Sequence, residues 1–216
     1  MMKPVGLLIF DLDGTLVDTL EDITASVNFT LQKLGRPVVP IDKVREYVGD
    51  GITMLLTRAL GGREELLEDA KGVYAVHHSR NLAVRSHLYP GVRETLEHFR
   101  SLPLAVVTNK GREFSEPLLQ GLGIFPFFTR IIGADEGLPL KPAPDAFLRI
   151  LQETGVPREL AAVVGDGTTD IAAGRAAGIT TCAVTYGFRS EALLRAAGPD
   201  HVIHAFPELR TLFLPK

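Results

Sequence analysis

Two aspartates, Asp11 and Asp13, stand directly after the apolar run at residues 5–9 and Phe10. Such a run is typical of a buried strand, and side chains two residues apart in an extended chain point to the same side. Carboxylates held close together raise each other's pKa unless a cation or a proton lies between them. The spacing therefore favours a metal site, a proton-transfer site or both. The alternative is that both residues only end the strand before a turn at Gly14.

Four further apolar runs of strand length recur along the chain, at residues 104–107, 130–133, 161–164 and 181–184. Amphipathic segments of helix length lie between or after them, at residues 92–101, 112–122, 144–154 and 170–177. Near-continuously apolar strands that alternate with helices are typical of a parallel sheet covered on both faces. We predict an α/β fold with a doubly wound, Rossmann-like parallel sheet.

One long segment, from residue 19 to about residue 88, interrupts this alternation. It contains four helical patterns and no convincing strand, with the helical patterns at residues 20–34, 41–48, 52–60 and 64–79. We predict a small helical cap domain at residues 18–88, inserted into a catalytic core formed by residues 1–17 and 89–216. The Tyr89-Pro90-Gly91 stretch is predicted to be the hinge that leads back into the core.

Polar residues of complementary type follow separate strands of the predicted sheet: Thr108, Asn109, Lys141, Asp166 and Asp170. Each has an ordinary interpretation as a helix cap, a solvated loop or a glycine-rich turn. In an open parallel sheet, however, ligands bind beyond the carboxyl ends of the strands. Because these loops meet at one edge, we predict that their side chains form one site with the two aspartates.

The string Asp-Leu-Asp-Gly-Thr-Leu-Val-Asp-Thr at residues 11–19 resembles the first motif of the haloacid dehalogenase-like superfamily of phosphotransferases. The resemblance implies that Asp11 is the nucleophile and Asp13 the general acid and base. A halide leaving group needs no proton, so Asp13 favours a phosphatase or phosphomutase over a dehalogenase. Phosphoryl transfer to Asp11 would give an aspartyl-phosphate that water then cleaves.

The later motifs of the superfamily have counterparts in order, so the resemblance covers nearly the whole chain. Thr108 is similar to the phosphate-binding hydroxyl of the second motif, with Asn109 beside it, and Lys141 resembles the lysine of the third. Asp166, supported by Asp170, resembles the acidic fourth motif. The implied cofactor is Mg²⁺, held by Asp11, Asp166 and the backbone carbonyl of Asp13.

Gly167 departs from the pattern of the superfamily, because many relatives carry serine or threonine at this position. In those relatives the serine or threonine at this position is usually not assigned a catalytic role. We therefore keep the assignment of the fourth motif and expect only a local contact near the metal to differ.

The sequence at residues 46–51, together with the helical insert, looks like the cap of phosphoglycolate phosphatases. This resemblance implies a magnesium-dependent phosphatase that acts on a small phosphate ester, with 2-phosphoglycolate as the first choice. Gly49, Asp50 and Gly51 are then candidates for substrate contact, although a simple turn between helices also explains the glycines.

Other charged residues of the insert are weaker candidates. Lys43, Arg45 and Arg58 could meet a small carboxylate, but solvated surface charges are the favoured interpretation. His77 and His78 are interpreted as surface or packing residues, since no partner stands at metal-site spacing.

Other functions remain open on the same fold. They are a sugar phosphomutase of the β-phosphoglucomutase type, a pyrophosphatase or nucleotidase, and a non-catalytic binding protein.

The composition points to no nucleic-acid or membrane partner. The chain has 216 residues, a net charge of −3 and no basic run, which gives no sign of a nucleic-acid or membrane partner. Its one cysteine, Cys182, lies in an apolar stretch and is predicted to fill the core, which fits a reducing compartment. No stretch approaches the ~20 apolar residues of a membrane span. We expect a cytoplasmic monomer or homodimer that acts on a small molecule.

Overall fold

The computed structural model describes residues 2–216. Its strands are β1 (Lys3–Val5), β2 (Leu7–Phe10), β3 (Val17–Asp18), β4 (His87–Leu88), β5 (Leu104–Val107), β6 (Arg130–Ile132), β7 (Ala161–Gly165), β8 (Thr180–Val184), β9 (His201–Ile203) and β10 (Phe213–Pro215). Its α-helices are α1 (Leu20–Lys33), α2 (Ile41–Tyr47), α3 (Gly51–Ala59), α4 (Leu67–Ser79), α5 (Val92–His98), α6 (Arg112–Gly121), α7 (Asp145–Thr154), α8 (Thr168–Ala177), α9 (Glu191–Ala196) and α10 (Leu209–Leu212).

Six strands form one parallel sheet in the order β6-β5-β2-β7-β8-β9. The predicted parallel α/β fold is confirmed. The chain runs from β2 to β5 on one side and later to β7 on the other, so the strand order reverses at β2. A crevice at the carboxyl ends of the strands is expected at such a switch point. Asp11 follows β2 directly and therefore lies at this crevice.

The central strand shows why the core chain folds in this way. All four residues of β2 are fully buried, and they alternate between two apolar clusters, one on each face of the sheet. Leu8 and Phe10 belong to the cluster that contains Phe99 and Phe206, and Ile9 to the one that contains Phe147. Cys182 lies in the first cluster and is buried, which agrees with its predicted place in the core.

The helical insert, defined here as α1 to α4, has an apolar cluster of its own. This cluster contains Ile23, Val27, Leu31, Leu56 and Tyr74, and α1 packs mainly on α4. The predicted bounds of these helices agree with the structure to within about a turn, except that residues 64–66 form a 3₁₀ turn before α4. The division of the chain into a helical cap domain and a core domain stays a prediction.

Five short strands escaped the sequence prediction: β1, β3, β4, β9 and β10. β4 pairs antiparallel with β3 where the chain leaves and re-enters the sheet domain, through Val17 opposite Leu88 and Asp18 opposite His87. β9 forms the edge of the main sheet, and β10 pairs with β1. Two or three residues carry too little periodicity to be recognised without their partners. None of the helices in residues 2–216 is long and apolar enough to cross a membrane.

Candidate active site

Lys141 lies at the centre of a buried group of charges beyond the carboxyl ends of the strands. Its Nζ atom is 2.9 Å from Asp11 Oδ1 and 2.6 Å from Asp170 Oδ1. It also donates a hydrogen bond to the Val107 carbonyl, at 2.8 Å. The side chains of Lys141 and Asp170 are each only 2% exposed. Charges this deeply buried are stable only when they are paired, and here Asp11 and Asp170 provide the pairing.

Asn109 fixes the backbone that carries this lysine. The Lys141 N–H donates to Asn109 Oδ1 at 2.9 Å, and Asn109 Nδ2 donates back to the Lys141 carbonyl at 3.0 Å. The same Nδ2 donates to the Gly49 carbonyl of the insert, at 2.9 Å. Both side-chain donors of Asn109 are thus engaged, so any contact with phosphate would come from its backbone. Its predicted phosphate-binding role stays a prediction.

Asp166 is held by groups from two neighbouring loops. Its Oδ1 accepts a hydrogen bond from the Thr15 hydroxyl at 3.1 Å, and its Oδ2 accepts one from the Phe188 N–H at 2.7 Å. The Asp166 N–H in turn donates to the Thr15 hydroxyl, at 3.0 Å. Gly14 passes so close, with φ +84°, that a Cβ there would lie 2.3 Å from Asp166 Oδ2. The turn after Asp13 therefore requires glycine for both its backbone conformation and its close approach.

The carboxylates of Asp11, Asp166 and Asp170 form a cluster in which one oxygen of each lies within 4.8 Å of the others. Burial, reinforced by the charge of Asp170, raises the pKa of Asp11 to about 8 despite Lys141. Burial also raises the pKa of Asp166 to about 6. Burial alone would lower the pKa of Lys141, but Asp11 and Asp170 outweigh it and hold that pKa above its usual range.

This cluster fits a hard divalent cation. Lys141 supplies one positive charge to three carboxylates, and the raised pKa values of Asp11 and Asp166 show that more positive charge would be favourable there. An all-oxygen donor set is the kind that Mg²⁺ prefers. The side chain of Asp13 is not part of the cluster. Its predicted place in the metal site concerned the backbone carbonyl and stays a prediction.

The Asp13 carboxylate has different partners. Thr19 donates its hydroxyl to Asp13 Oδ1 at 2.7 Å, and Lys110 Nζ lies 3.1 Å from the same oxygen. The side chains of Lys110 and Asp13 are 7% and 12% exposed. Lys110 was missed in the sequence, although its position directly after Thr108-Asn109 was a usable signal. Asp11 and Asp13 therefore lie in separate electrostatic environments despite their spacing of two residues.

A cavity separates this edge of the sheet from the helical insert. Thr108 lines it together with Asp11 and Asp13, and its hydroxyl accepts a hydrogen bond from the Lys110 N–H at 3.1 Å. The insert and the start of α6 contribute a largely apolar wall, formed by Ile23, Val48, Ile52, Leu55, Tyr74, His78 and Phe114. Tyr74 and Phe114 meet edge to face, with their ring centres 6.5 Å apart.

The turn between α2 and α3 closes over the cavity. Gly49 and Gly51 line it, and Asp50 lines an adjoining pocket beside Asp166 and Arg189. Contact of this turn with a substrate stays a prediction. Asp50 also pairs with Arg58, at 2.6 Å between Oδ2 and Nη2.

The weaker candidates of the insert have ordinary roles in the structure. Lys43 pairs with Glu46 at the surface, where its side chain is 56% exposed. His77 stacks on Phe29, with ring centres 4.2 Å apart. His78 is buried, and its Nδ1 lies 3.1 Å from the Ser26 hydroxyl. The interpretation of both histidines as packing residues agrees with these contacts, but the place of His78 on the cavity wall was not foreseen.

Gly167 lies at the start of α8, next to the carboxylate cluster. Its N–H donates to Asp170 Oδ2 at 3.0 Å. A Cβ at this position would lie 2.9 Å from the same oxygen and 3.0 Å from Thr169 Oγ1. The departure from serine or threonine thus leaves room for close contact between the backbone and Asp170.

Comparison with known proteins decides the family. Residues 8–184 match the model of the haloacid dehalogenase-like hydrolase family, which is more than half of the chain. The chain belongs to the haloacid dehalogenase-like hydrolases. The prediction of an enzyme of this superfamily is confirmed.

Individual relatives of this haloacid dehalogenase-like hydrolase share a more specific name. The phosphoglycolate phosphatase of Nitrosococcus oceani is 35% identical over 220 residues, which cover 98% of each chain. That of Pseudomonas putida is 38% identical over 208 residues, covering 91% of this chain and 75% of the relative. The crystal structure of a predicted phosphoglycolate phosphatase from Haemophilus somnus superposes with a TM-score of 0.92 at 30% identity, covering 98% of this chain and 99% of that one.

Proposed function

We propose that this hydrolase is a magnesium-dependent phosphatase that cleaves a small phosphate ester, with 2-phosphoglycolate as its preferred substrate. The observation that carries the proposal is the division between the two aspartates. Asp11 lies in the carboxylate cluster beside Lys141, whereas Asp13 lies outside the cluster, beside Thr19 and Lys110 at the cavity. This division supports Asp11 as the carboxylate that meets a phosphoryl group and Asp13 as the one that exchanges a proton beside it.

In the first step the Asp11 carboxylate attacks phosphorus while the bond from phosphorus to the ester oxygen breaks. The departing oxygen takes a proton from Asp13, and an aspartyl-phosphate remains on Asp11. In the second step water attacks that phosphorus and gives its proton to Asp13, so phosphate leaves and both aspartates return to their starting state. The burial of this site keeps bulk water from competing with the substrate.

The remaining groups neutralise and position the phosphoryl group. Lys141 offers a fixed positive charge beside Asp11, and Thr108, which lines the cavity, offers a hydroxyl donor. Asp170 acts through Lys141, which it holds at 2.6 Å. When bound, Mg²⁺ would be held by Asp11, Asp166 and the Asp13 carbonyl, and it would offset the negative charge of the phosphoryl group.

The nature of the cavity supports a small substrate. Its far wall is formed by apolar side chains such as Ile23, Leu55 and Phe114, which offer no partners for the hydroxyl groups of a hexose. The helical insert supplies most of this wall, so we propose that it acts as the cap of the site. The names of the relatives support 2-phosphoglycolate as the ester.

Phosphate release from a panel of esters tests the proposal. With Mg²⁺, 2-phosphoglycolate is expected to be cleaved with a higher kcat/KM than glucose 1-phosphate, AMP or pyrophosphate, and a chelator is expected to stop turnover. Asp11→Asn should lower turnover roughly 10⁴- to 10⁶-fold, because the nucleophile is lost. A hexose phosphate converted to its isomer with little free phosphate would identify a mutase instead. Lack of activity on the whole panel would favour a binding protein.

A further inference from the structure

Lys110 places a positive charge on the cavity wall beside Asp13. Its Nζ atom lies 3.1 Å from Asp13 Oδ1 and 3.3 Å from Oδ2. An ammonium group has three N–H donors, so these contacts leave at least one for another acceptor. Of the residues that line this cavity in the described chain, residues 2–216, Lys110 is the only lysine or arginine.

The backbone of Lys110 is fixed by its neighbours. Its N–H donates to the Thr108 hydroxyl at 3.1 Å, and its carbonyl accepts a hydrogen bond from Ala134 at 3.1 Å. Gly133 passes so close that a Cβ there would lie 2.9 Å from that carbonyl oxygen. The lysine therefore extends from a rigid strand end, which favours a defined position for its charge.

The imidazole ring of His78, which also lines this wall, does not add a second positive charge. Ser26 donates its hydroxyl to the Asp22 carbonyl, so its oxygen accepts a hydrogen bond from His78 Nδ1–H. Burial, reinforced by the charge of Lys110, lowers the pKa of His78 to about 2, so the ring is neutral. Apart from the carboxylates of Asp11 and Asp13, the residues that line the cavity around Lys110 are apolar or uncharged, so its ammonium group is weakly screened from a bound anion.

We propose that Lys110 binds an anionic group on the carbon next to the ester oxygen, and so selects phosphate esters of small 2-hydroxy acids. The inference rests on the proposed function, because Asp13 marks where the ester oxygen must lie to receive its proton. Lys110 Nζ is 3.1 Å from that carboxylate, so an anion two bonds beyond the ester oxygen comes within its reach. The carboxylate of 2-phosphoglycolate stands at this spacing.

A purely structural role for Lys110 predicts a different result. If the lysine only orients Asp13, its loss slows the cleavage of every ester by the same factor. If it binds the anion, its loss mainly affects esters that carry one. A comparison of two substrates therefore distinguishes the roles, where a single rate would not.

The kinetic test compares 2-phosphoglycolate with ethyl phosphate, in which a methyl group replaces the carboxylate. In Lys110→Met, kcat/KM for 2-phosphoglycolate should fall roughly 10- to 100-fold more than for ethyl phosphate, the size expected for a hydrogen bond between charged groups. Lys110→Arg should keep most of the preference. Lys43→Met, at a surface lysine, is the matched control and should change neither value. Equal losses on both esters would overturn the inference.

A binding measurement separates this inference from the proposed function. Calorimetry with Mg²⁺ present would compare 3-phosphonopropionate, which cannot be hydrolysed, with propylphosphonate, which lacks the carboxylate. The wild-type protein should bind the first more tightly, and Lys110→Met, or Lys110→Gln if the first variant does not fold, should remove that preference. This result without turnover of any ester would reject the phosphatase and keep the role of Lys110. If the protein cleaves ethyl phosphate as efficiently as 2-phosphoglycolate, the phosphatase is kept and the role of Lys110 is rejected.

Discussion

The carboxylate cluster and the wall of the cavity lie side by side, but the cluster consists of charged side chains and the wall mainly of apolar ones. The cluster consists of charges, each held by loops at the ends of the central strands, as Thr15 and the Phe188 N–H hold Asp166. The wall consists mainly of apolar side chains on helices of the insert, packed against one another. We infer that the loops of the sheet carry the chemistry and the anion contact of Lys110, and that the insert limits the substrate through the shape of the wall. Substitutions in the cluster should therefore change stability, kcat or the Mg²⁺ requirement, whereas substitutions that affect the insert should mainly change KM.

The largest effect is expected in the cluster, from Lys141→Met. Loss of this charge leaves Asp11 and Asp170 buried without their partner, at a cost of about 3–5 kcal/mol in the free energy of unfolding. In the proposed mechanism it also removes the charge that offsets the phosphoryl group, so kcat should fall roughly 10²- to 10³-fold. Urea unfolding and steady-state kinetics measure the two effects. A variant that is as stable and active as Lys43→Met would show that the cluster does not depend on Lys141.

Gly14→Ala should damage the cluster through the backbone. A Cβ at this position would lie 2.3 Å from Asp166 Oδ2, so the carboxylate must move. The Mg²⁺ concentration for half-maximal activity is expected to rise roughly 10- to 100-fold, as for other losses of support around a metal ligand.

Gly62→Ala is the matched control for that change. Gly62 has φ +79°, close to the +84° of Gly14, but no atom lies within 4 Å of its added Cβ. Both variants should lose about 1–3 kcal/mol of stability through backbone strain. Only Gly14→Ala should alter the Mg²⁺ requirement, and a similar change in both would refute the contact with Asp166.

The two regions also differ in how far the sequence predicted them. Asp11 and Asp166 each follow a strand with a clear apolar pattern, so their convergence could be derived from topology. Lys141 lies in the loop between β6 and α7, and its resemblance to the third motif placed it at the same edge. Lys110 follows β5 directly after Thr108-Asn109, so its place could also have been derived from topology. His78 owes its place on the cavity wall to tertiary packing of the insert, which no local spacing encodes.

Differences in burial explain why the edge strand β9 was missed while the central strands were predicted. The apolar pattern of β2, β5 and β7 is continuous because both faces of these strands are buried. The edge strand β9 reads His-Val-Ile, with two of its three residues only partly buried. It is recognisable as a strand only through its pairing with β8.

A moderate effect is expected from pH in the absence of metal. The pKa of Asp11 is about 8 and that of Asp166 about 6 in the folded protein, above the ordinary aspartate value near 4. The folded state therefore holds more protons than the unfolded state between about pH 4 and pH 8, and its stability should fall as pH rises across that range.

Mg²⁺ should reverse this trend, because it binds the deprotonated carboxylates. We expect the gain in melting temperature with Mg²⁺, relative to chelator, to be larger at pH 8 than at pH 5. Asp166→Asn should reduce both the pH dependence and the gain. A gain that is equal at both pH values, or unchanged in Asp166→Asn, would place the metal elsewhere.

The smallest effect is expected where the two regions meet, at Arg189. This residue follows β8 and donates hydrogen bonds to the carbonyls of Arg45, at 2.9 Å, and Val48 in the insert. Arg189→Ala removes these ties but leaves the carboxylate cluster in place. The KM for 2-phosphoglycolate should rise roughly three- to tenfold, in line with about 0.5–1.5 kcal/mol for a hydrogen bond, while kcat changes little.

Arg195→Ala is the control for Arg189→Ala, because Arg195 is an exposed arginine whose partner is Glu191 on the same helix. Its loss should leave KM unchanged, since exposed pairs of this kind contribute little. A fall in kcat without a rise in KM in Arg189→Ala would mean that the ties to the insert support the chemistry itself. The insert would then do more than limit the substrate, because the cluster would depend on its position.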